Sequence, residues 1–257
     1  MRLKLWANAL IALLLALPLA AEAQNANPAR RGPQSGTSAE APHFVKAFVA
    51  DDRLSVVRKE PDLRSQVVQR LRLRRPVFII GSSISKAGEP KFYRVAVTRR
   101  TRGWIHAAAV AIPSRAGEDK RVLQLAEKAV DGLDRIALCL LLTESFKNSS
   151  LVQQALLMLA AEAERSVSTL SKRVAKRVAA VGPRTANASQ RDYYLSDASL
   201  DRFSRLGVSF DFDDATGEYI YDGAAYRTII KRFPASDSAK IARERLELVR
   251  QRLARRE

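Results

Sequence analysis

The spacing of apolar residues changes its period once, just after Pro113, and that change divides the chain into two kinds of structure. Before it, short apolar or alternating runs are broken by turn residues, the two-residue repeat of strands with one buried face. Predicted strands run from Phe44 to Val49, Leu54 to Arg58, Val67 to Leu71, Val77 to Ser82, Phe92 to Val97 and Arg102 to His106. Asp51-Asp52, Glu60-Pro61-Asp62, Gly88-Glu89-Pro90 and the run from Arg99 to Gly103 separate them. Strands this short cannot build a large sheet, so residues 43–114 are expected to close into a small barrel.

Beyond Pro113 the apolar positions follow the helical i, i+3, i+4, i+7 stripe. A first helix is predicted to open at Gly117-Glu118-Asp119-Lys120 and carry Val122, Leu125, Ala126, Ala129, Val130, Leu133, Ile136, Ala137, Leu140 and Leu141 as one stripe, up to a break at Asn148-Ser149-Ser150. A second runs from Leu151 to Val178 and stops at Gly182-Pro183, its apolar first half packed inside a helical domain. Thr185 to Arg191 reads as a polar linker and Asp197 to Leu206 as a short helix. Phe210 and Phe212 alternate against Tyr219 and Tyr221 around Asp214-Ala-Thr-Gly217, the pattern of a β-hairpin or structured loop. Two last helices, Gly223 to Arg232 and Ser236 to about Arg255, hinge at Phe233-Pro234-Ala235-Ser236. The fold class expected is therefore α+β and multidomain: a small barrel over 43–114 followed by an α-helical domain over 115–257.

A net charge of +17 first suggests nucleic acid, but the N-terminal segment argues otherwise. Arg2 and Lys4 precede an apolar run from Leu5 to Leu19, and Ala21-Glu22-Ala23 precedes Gln24. That is the layout of a secretory signal peptide over residues 1–23, cleaved between Ala23 and Gln24. The run falls short of the ~20 residues of a spanning helix, so no stable transmembrane segment is expected after cleavage. A periplasmic or secreted location follows, where nucleic acid is scarce. Residues 24–42 are rich in Asn, Pro, Ala, Gly, Ser and Gln and read as a flexible linker. The strand-rich segment holds 15 Lys and Arg against 5 Asp and Glu, and the helical one 25 against 20, so most of the excess belongs to the barrel.

Within the first segment, Asp52-Arg53-Leu54-Ser55-Val56-Val57-Arg58, Pro61, Ser65-Gln66-Val67-Val68, Leu73-Arg74-Arg75-Pro76-Val77, Phe92-Tyr93-Arg94-Val95 and Arg102-Gly103-Trp104-Ile105-His106 stand in order. This series resembles the bacterial SH3-like (SH3b) domain, whose pattern runs L-N-V-R-x-G-P, V-I-x-x-L-x-x-G-x-x-V, W-Y-K-V and G-W-V. It departs from that pattern at Ser55, Val57, Glu60, Phe92 and at Arg75, read as the glycine position before Pro76. Near the other end, Tyr226-Arg-Thr-Ile-Ile-Lys-Arg-Phe-Pro-Ala-Ser236 with Ala239, Ala242 and Leu246 is similar to the tetratricopeptide-type hairpin of periplasmic envelope-assembly proteins. One clear copy, over 223–255, is present. The two resemblances together imply an exported SH3 domain-containing protein, a family description that carries no activity.

Chemistry is sparse. There is no nucleophile-elbow, phosphate-loop or dinucleotide-type glycine motif. One cysteine and two histidines, His43 and His106, leave no disulfide framework and no metal-ligand spacing, so neither metal nor cofactor is expected. Cys139 lies in an apolar helical stretch, and both histidines precede it, unlike the Cys-then-His order of the wall peptidases that SH3b modules accompany. Asp211, Asp213, Asp214 and Glu218 read as a solvated turn, with a calcium site as the alternative; the spacing is not that of an EF-hand loop. Trp104 is expected mainly to pack in the core, and the sharper alternative is a ligand groove of Tyr93, Trp104, His106 and Arg94. A basic patch of Arg70, Arg72, Arg74, Arg75, Arg99, Arg100 and Arg102 accompanies it.

The functional expectation is a non-enzymatic, exported binding or scaffold protein. Its barrel would bind cell-wall peptide, an anionic envelope polymer or a periplasmic protein, and its helices would dock a protein partner. The alternatives are a pure assembly scaffold with a ligand-free barrel, and a cell-envelope hydrolase accessory.

Overall fold

A computed structural model of the chain describes residues 44–84, 90–181 and 189–254, all within one compact unit spanning Ala41–Glu257. The signal segment, the linker, His43, the Gly88-Glu89-Pro90 turn apart from Pro90, and the Gly182-Pro183 stop lie outside these residues. Seven strands form one antiparallel sheet: β1 (Val45–Val49), β2 (Val56–Arg58), β3 (Val67–Arg70), β4 (Pro76–Ile84), β5 (Pro90–Ala96), β6 (Arg102–His106) and β7 (Val110–Ala111). Their order is β3-β2-β6-β5-β4-β1-β7, and every pairing is antiparallel. Alternation sends Ala47, Val49, Val57, Val77, Ile79, Tyr93, Val95 and Ile105 to one face, where they form the sheet's own core with Leu71 and Val110. Ser55, fully buried, sets its Oγ 2.7 Å from the carbonyl oxygens of both Asp52 and Leu71, tying the 3₁₀ turn before β2 to the end of β3. The two-residue strand β7 has no counterpart among the predicted strands, because two residues show no alternation to read.

Among the described residues seven helices follow: α1 (Glu118–Lys128), α2 (Gly132–Ser145), α3 (Val152–Val181), α4 (Gln190–Leu195), α5 (Ser199–Ser204), α6 (Ala224–Arg232) and α7 (Asp237–Ala254). A hairpin of β8 (Phe210–Asp213) and β9 (Glu218–Tyr221) sits between α5 and α6, with Phe210 opposite Tyr221 and Phe212 opposite Tyr219. The fold is therefore α+β, an antiparallel sheet followed by helices. No described helix is long and apolar enough to cross a membrane.

The expected single helix from Gly117 to the Asn148 break is two helices. The apolar stripe continues through Ala129, Val130 and Leu133, yet Val130 is 100% exposed. Asp131 starts a new helix by accepting the Leu133 N–H at 2.7 Å. Arg135 reaches back from α2 to bond the carbonyl of Ala129 and that of Ala126, which also accepts the Ala129 N–H at the end of α1. The same guanidinium pairs with Glu162 of α3, a carboxylate only 7% exposed at its side chain. Gly132 is glycine because a Cβ there would collide with that carboxylate. Part of the expected linker is likewise helical: α4 begins at a capping box in which Ser189 and Asp192 each bond the other's backbone N–H.

The helical core runs from Val122 and Leu142 through Leu159 and Val174 to the hairpin aromatics and α6–α7. Ala50 and Ala111 of the sheet belong to it, and Leu73 packs against both cores. Polar contacts reinforce this seam. Arg121 of α1 donates to the carbonyls of Ala108 (3.1 Å) and Val110 (2.5 Å) while pairing with Glu118, and Arg74 pairs with Glu144 of α2 at 2.7 Å. Between α6 and α7, Phe233-Pro234 ends one helix and Ser236 Oγ accepts the Ala239 N–H, while Ala239 and Ala242 are fully buried where the helices meet.

Glu162→Gln is expected to lower the unfolding free energy by about 3 kcal/mol, the scale of a broken buried pair. Arg165, the second partner of Glu162, is two-thirds exposed, so Arg165→Ala should cost less than about 0.5 kcal/mol. Urea denaturation of the two variants checks the contrast.

Candidate functional site

Register decides which of the predicted groove residues can act together, because residues directly opposite in an antiparallel pair share a face. Trp104 lies opposite Arg58 of β2 on one side and Arg94 of β5 on the other. The row Arg58, Trp104, Arg94 therefore crosses three strands on the outer face, away from the sheet's core. His106 joins that face opposite Phe92, whose ring meets it edge-on at 5.4 Å. Arg102 and Ala96, then Phe78 and Lys46, form a further row across β6, β5, β4 and β1. Lys46, Arg94 and Arg102 are exposed, Phe78 is 43% exposed, and Trp104 is half-buried. The outer face is thus cationic with aromatic surface set among the charges.

Local chemistry fixes this arrangement. Gly103 lets β6 pass β2, since a Cβ there would lie 2.5 Å from the Arg58 carbonyl oxygen and 2.6 Å from Val57 Cγ1. Arg58 is steadied by donating to the Ser65 carbonyl at 2.8 Å. His106 Nδ1 accepts the Ala108 N–H at 3.3 Å, which caps the 3₁₀ turn Ala107–Ala109.

Tyr93 stands apart from this group. It lies opposite Ile105, buried in the sheet's core, and its hydroxyl accepts from Arg115 at 2.6 Å beneath the same guanidinium. The basic patch divides as well. Arg99 and Arg100 are exposed at the β5–β6 turn, where Thr98 Oγ1 accepts the N–H groups of Arg100 and Thr101, and Arg102 follows them. Arg74 is engaged with Glu144, and Arg75 is exposed beside it. Arg70 and Arg72 line a cleft of about 690 Å³ with Arg202 and Arg205 of the helical part.

The other chemistry-bearing residues have structural partners. Cys139 is fully buried in the helical core, where burial pushes its thiol up to about 12. Arg191 pairs with Asp211 at 2.5 Å and Asp214 at 3.7 Å and donates to the Phe212 carbonyl, and Asp213 Oδ1 accepts the Ala215 N–H at 3.0 Å. Among the described residues no group of three or more His, Cys, Asp or Glu side chains is placed to hold a metal ion. The sequence matches no family model, and neither the curated proteins nor the solved structures give a match to it.

Arg202, Arg205 and Arg191 carry no local signal of a site; only the tertiary fold brings the first two beside Arg70 and Arg72. Tyr93→Phe is expected to lower stability by about 1 kcal/mol through loss of one hydrogen bond, read by urea denaturation. Native Cys139 should resist a thiol-reactive disulfide reagent at neutral pH and react fully once urea unfolds the chain.

Proposed function

We propose that the chain is an exported, non-enzymatic binding and scaffold protein. Its sheet is an SH3-like module that binds anionic envelope polymer or cell-wall peptide on the outer face, and its helices carry a protein-docking surface. The observation that carries this reading is the row Arg58, Trp104, Arg94, a half-buried tryptophan with an arginine opposite it on each neighbouring strand. Such a row offers a flat apolar contact together with charge-assisted hydrogen bonds to carboxylate or phosphate.

The SH3-like assignment draws further support from Arg74. Its φ of 65° is the left-handed conformation that glycine adopts without strain, and it stands three residues after Leu71 and three before Val77, where the L-x-x-G-x-x-V pattern puts glycine. The departure from the pattern therefore falls at Arg74 rather than at Arg75. The Phe233-Pro234 stop, the Ser236 cap and the buried alanines support a tetratricopeptide-like hairpin in α6–α7. The signal-peptide layout of residues 1–23 supports export to the periplasm or beyond. A second reading, a scaffold whose sheet binds nothing, draws on α7, where Ile241 and Leu248 are about half exposed seven residues apart on one helix face.

Retention of the protein on isolated peptidoglycan at about 0.15 M and about 0.5 M salt tests the proposal. Wild type should be retained at both, and Trp104→Ala should weaken retention about tenfold, or 1.4 kcal/mol. Unchanged retention by a folded Trp104→Ala protein would remove the outer face as the site. No retention at either salt would leave the scaffold reading.

A further inference from the structure

The cleft at the seam between sheet and helices gathers four arginines from two distant parts of the chain. Arg70 ends β3 and Arg72 follows it, while Arg202 and Arg205 come from α5 and the residue after it. Several other arginines at this seam or along the helical core are answered by a carboxylate: Glu144 for Arg74, Glu118 for Arg121, Glu162 for Arg135, Asp197 for Arg177. In the cleft none of the four forms an ion pair with a described residue, although Asp52 and Asp134 line the same walls. Four guanidiniums against two carboxylates leave the cleft at +2. Like charges brought together by the fold favour an anion between them.

We infer that this cleft is a ligand site for a phosphate monoester, its phosphate among Arg70, Arg72, Arg202 and Arg205 and its apolar part on a leucine floor. The charge fits a single such group, which carries about −1.5 to −2 at neutral pH. Asp52 and Asp134 disfavour a longer polyanion, whose further charges would meet them. Arginine forks bond phosphate oxygens two at a time, so a tetrahedral group can engage guanidiniums from both walls. The size is that of a small-molecule site, since 690 Å³ lies within the usual range of about 300–1,000 Å³. Leu73, Leu133 and Leu206 line the cleft and give an ester's organic portion an apolar surface that inorganic phosphate would leave uncovered. Arg70, opposite Val56, shares the sheet face of Arg58, but none of Arg58, Trp104 and Arg94 lines the cleft, so the site stands whether or not that row binds polymer.

Isothermal titration of the full chain at about 0.15 M salt tests this with phenyl phosphate, inorganic phosphate and succinate, alongside flotation with phosphatidic-acid vesicles. Phenyl phosphate is expected to bind at least tenfold more tightly than inorganic phosphate or succinate. Arg72→Lys and Arg205→Lys, which keep charge but lose the fork, should each weaken it at least tenfold. Trp104→Ala and the Arg99→Ala/Arg100→Ala double variant should leave it unchanged. Binding of the vesicles but not of phenyl phosphate, with the same dependence on Arg72 and Arg205, would support the site and assign a lipid headgroup as its source. Succinate binding as well as phenyl phosphate would overturn the phosphate assignment. Binding of neither phosphate source, or equal loss in the Arg99/Arg100 variant, would overturn the site.

Discussion

The carboxylate of Glu162 determines how the helices meet, and through them how the sheet is held. Buried on α3, it must be answered by a positive group, because an unpaired charge at that depth would cost several kcal/mol. Arg135 answers it and in the same conformation closes the end of α1 by bonding the carbonyls of Ala126 and Ala129. One guanidinium therefore fixes the elbow between α1 and α2 and the docking of that elbow on α3. The elbow in turn sets the direction of α1, whose Arg121 reaches the backbone of the turn and strand that end the sheet.

Most polar contacts across the sheet–helix seam follow the same economy. Arg121 and Arg115 bond carbonyl or hydroxyl oxygens of the sheet, and Arg74 bonds a helical carboxylate. Guanidinium suits such positions because its fork bonds several acceptors in one plane while its aliphatic stem packs against apolar neighbours. Arginine content here is thus partly structural, and the net charge overstates how much positive surface is open to a ligand.

Much of the fold was legible because the period of apolar residues is a local property. The strands from β1 to β6 and the hairpin of β8 and β9 stand close to their predicted positions. The tail helices hinge at Phe233-Pro234-Ala235-Ser236 because proline and a serine cap act within a few residues. The elbow at Val130 was not legible, since the helical stripe runs straight through it and only the distant Glu162 requires the break. Asp131-Gly132 was the sole local sign. The site was half legible for a related reason. Trp104, expected mainly in the core, lies half-buried on the outer face with Arg94 and His106, while Tyr93 takes the core position, and this depends on strand register. The Val97 and Thr98 N–H groups both close on the Thr101 carbonyl, and the resulting turn sets Arg94, not Tyr93, opposite Trp104. A one-residue slip would have exchanged them.

What the fold does to charge is to sort it. The basic patch seen in the sequence is two runs of arginines, Arg70 to Arg75 and Arg99 to Arg102; in space its members separate by role. Arg74 is bound to the helices. Arg99, Arg100 and Arg102 gather at and beside the far hairpin turn, next to the row that holds Trp104. Arg70 and Arg72 face the seam and meet Arg202 and Arg205, more than a hundred residues later in the chain. All four are solvent-exposed, as the turn arginines are, but they line one concave space, where a bound anion can meet several of them. The two acids of the cleft, Asp52 and Asp134, form no ion pair with these arginines, unlike the acids that hold Arg135 and Arg121. The contrast between answered and unanswered arginines along one seam is the physical ground for separating structural cations from those available to a ligand.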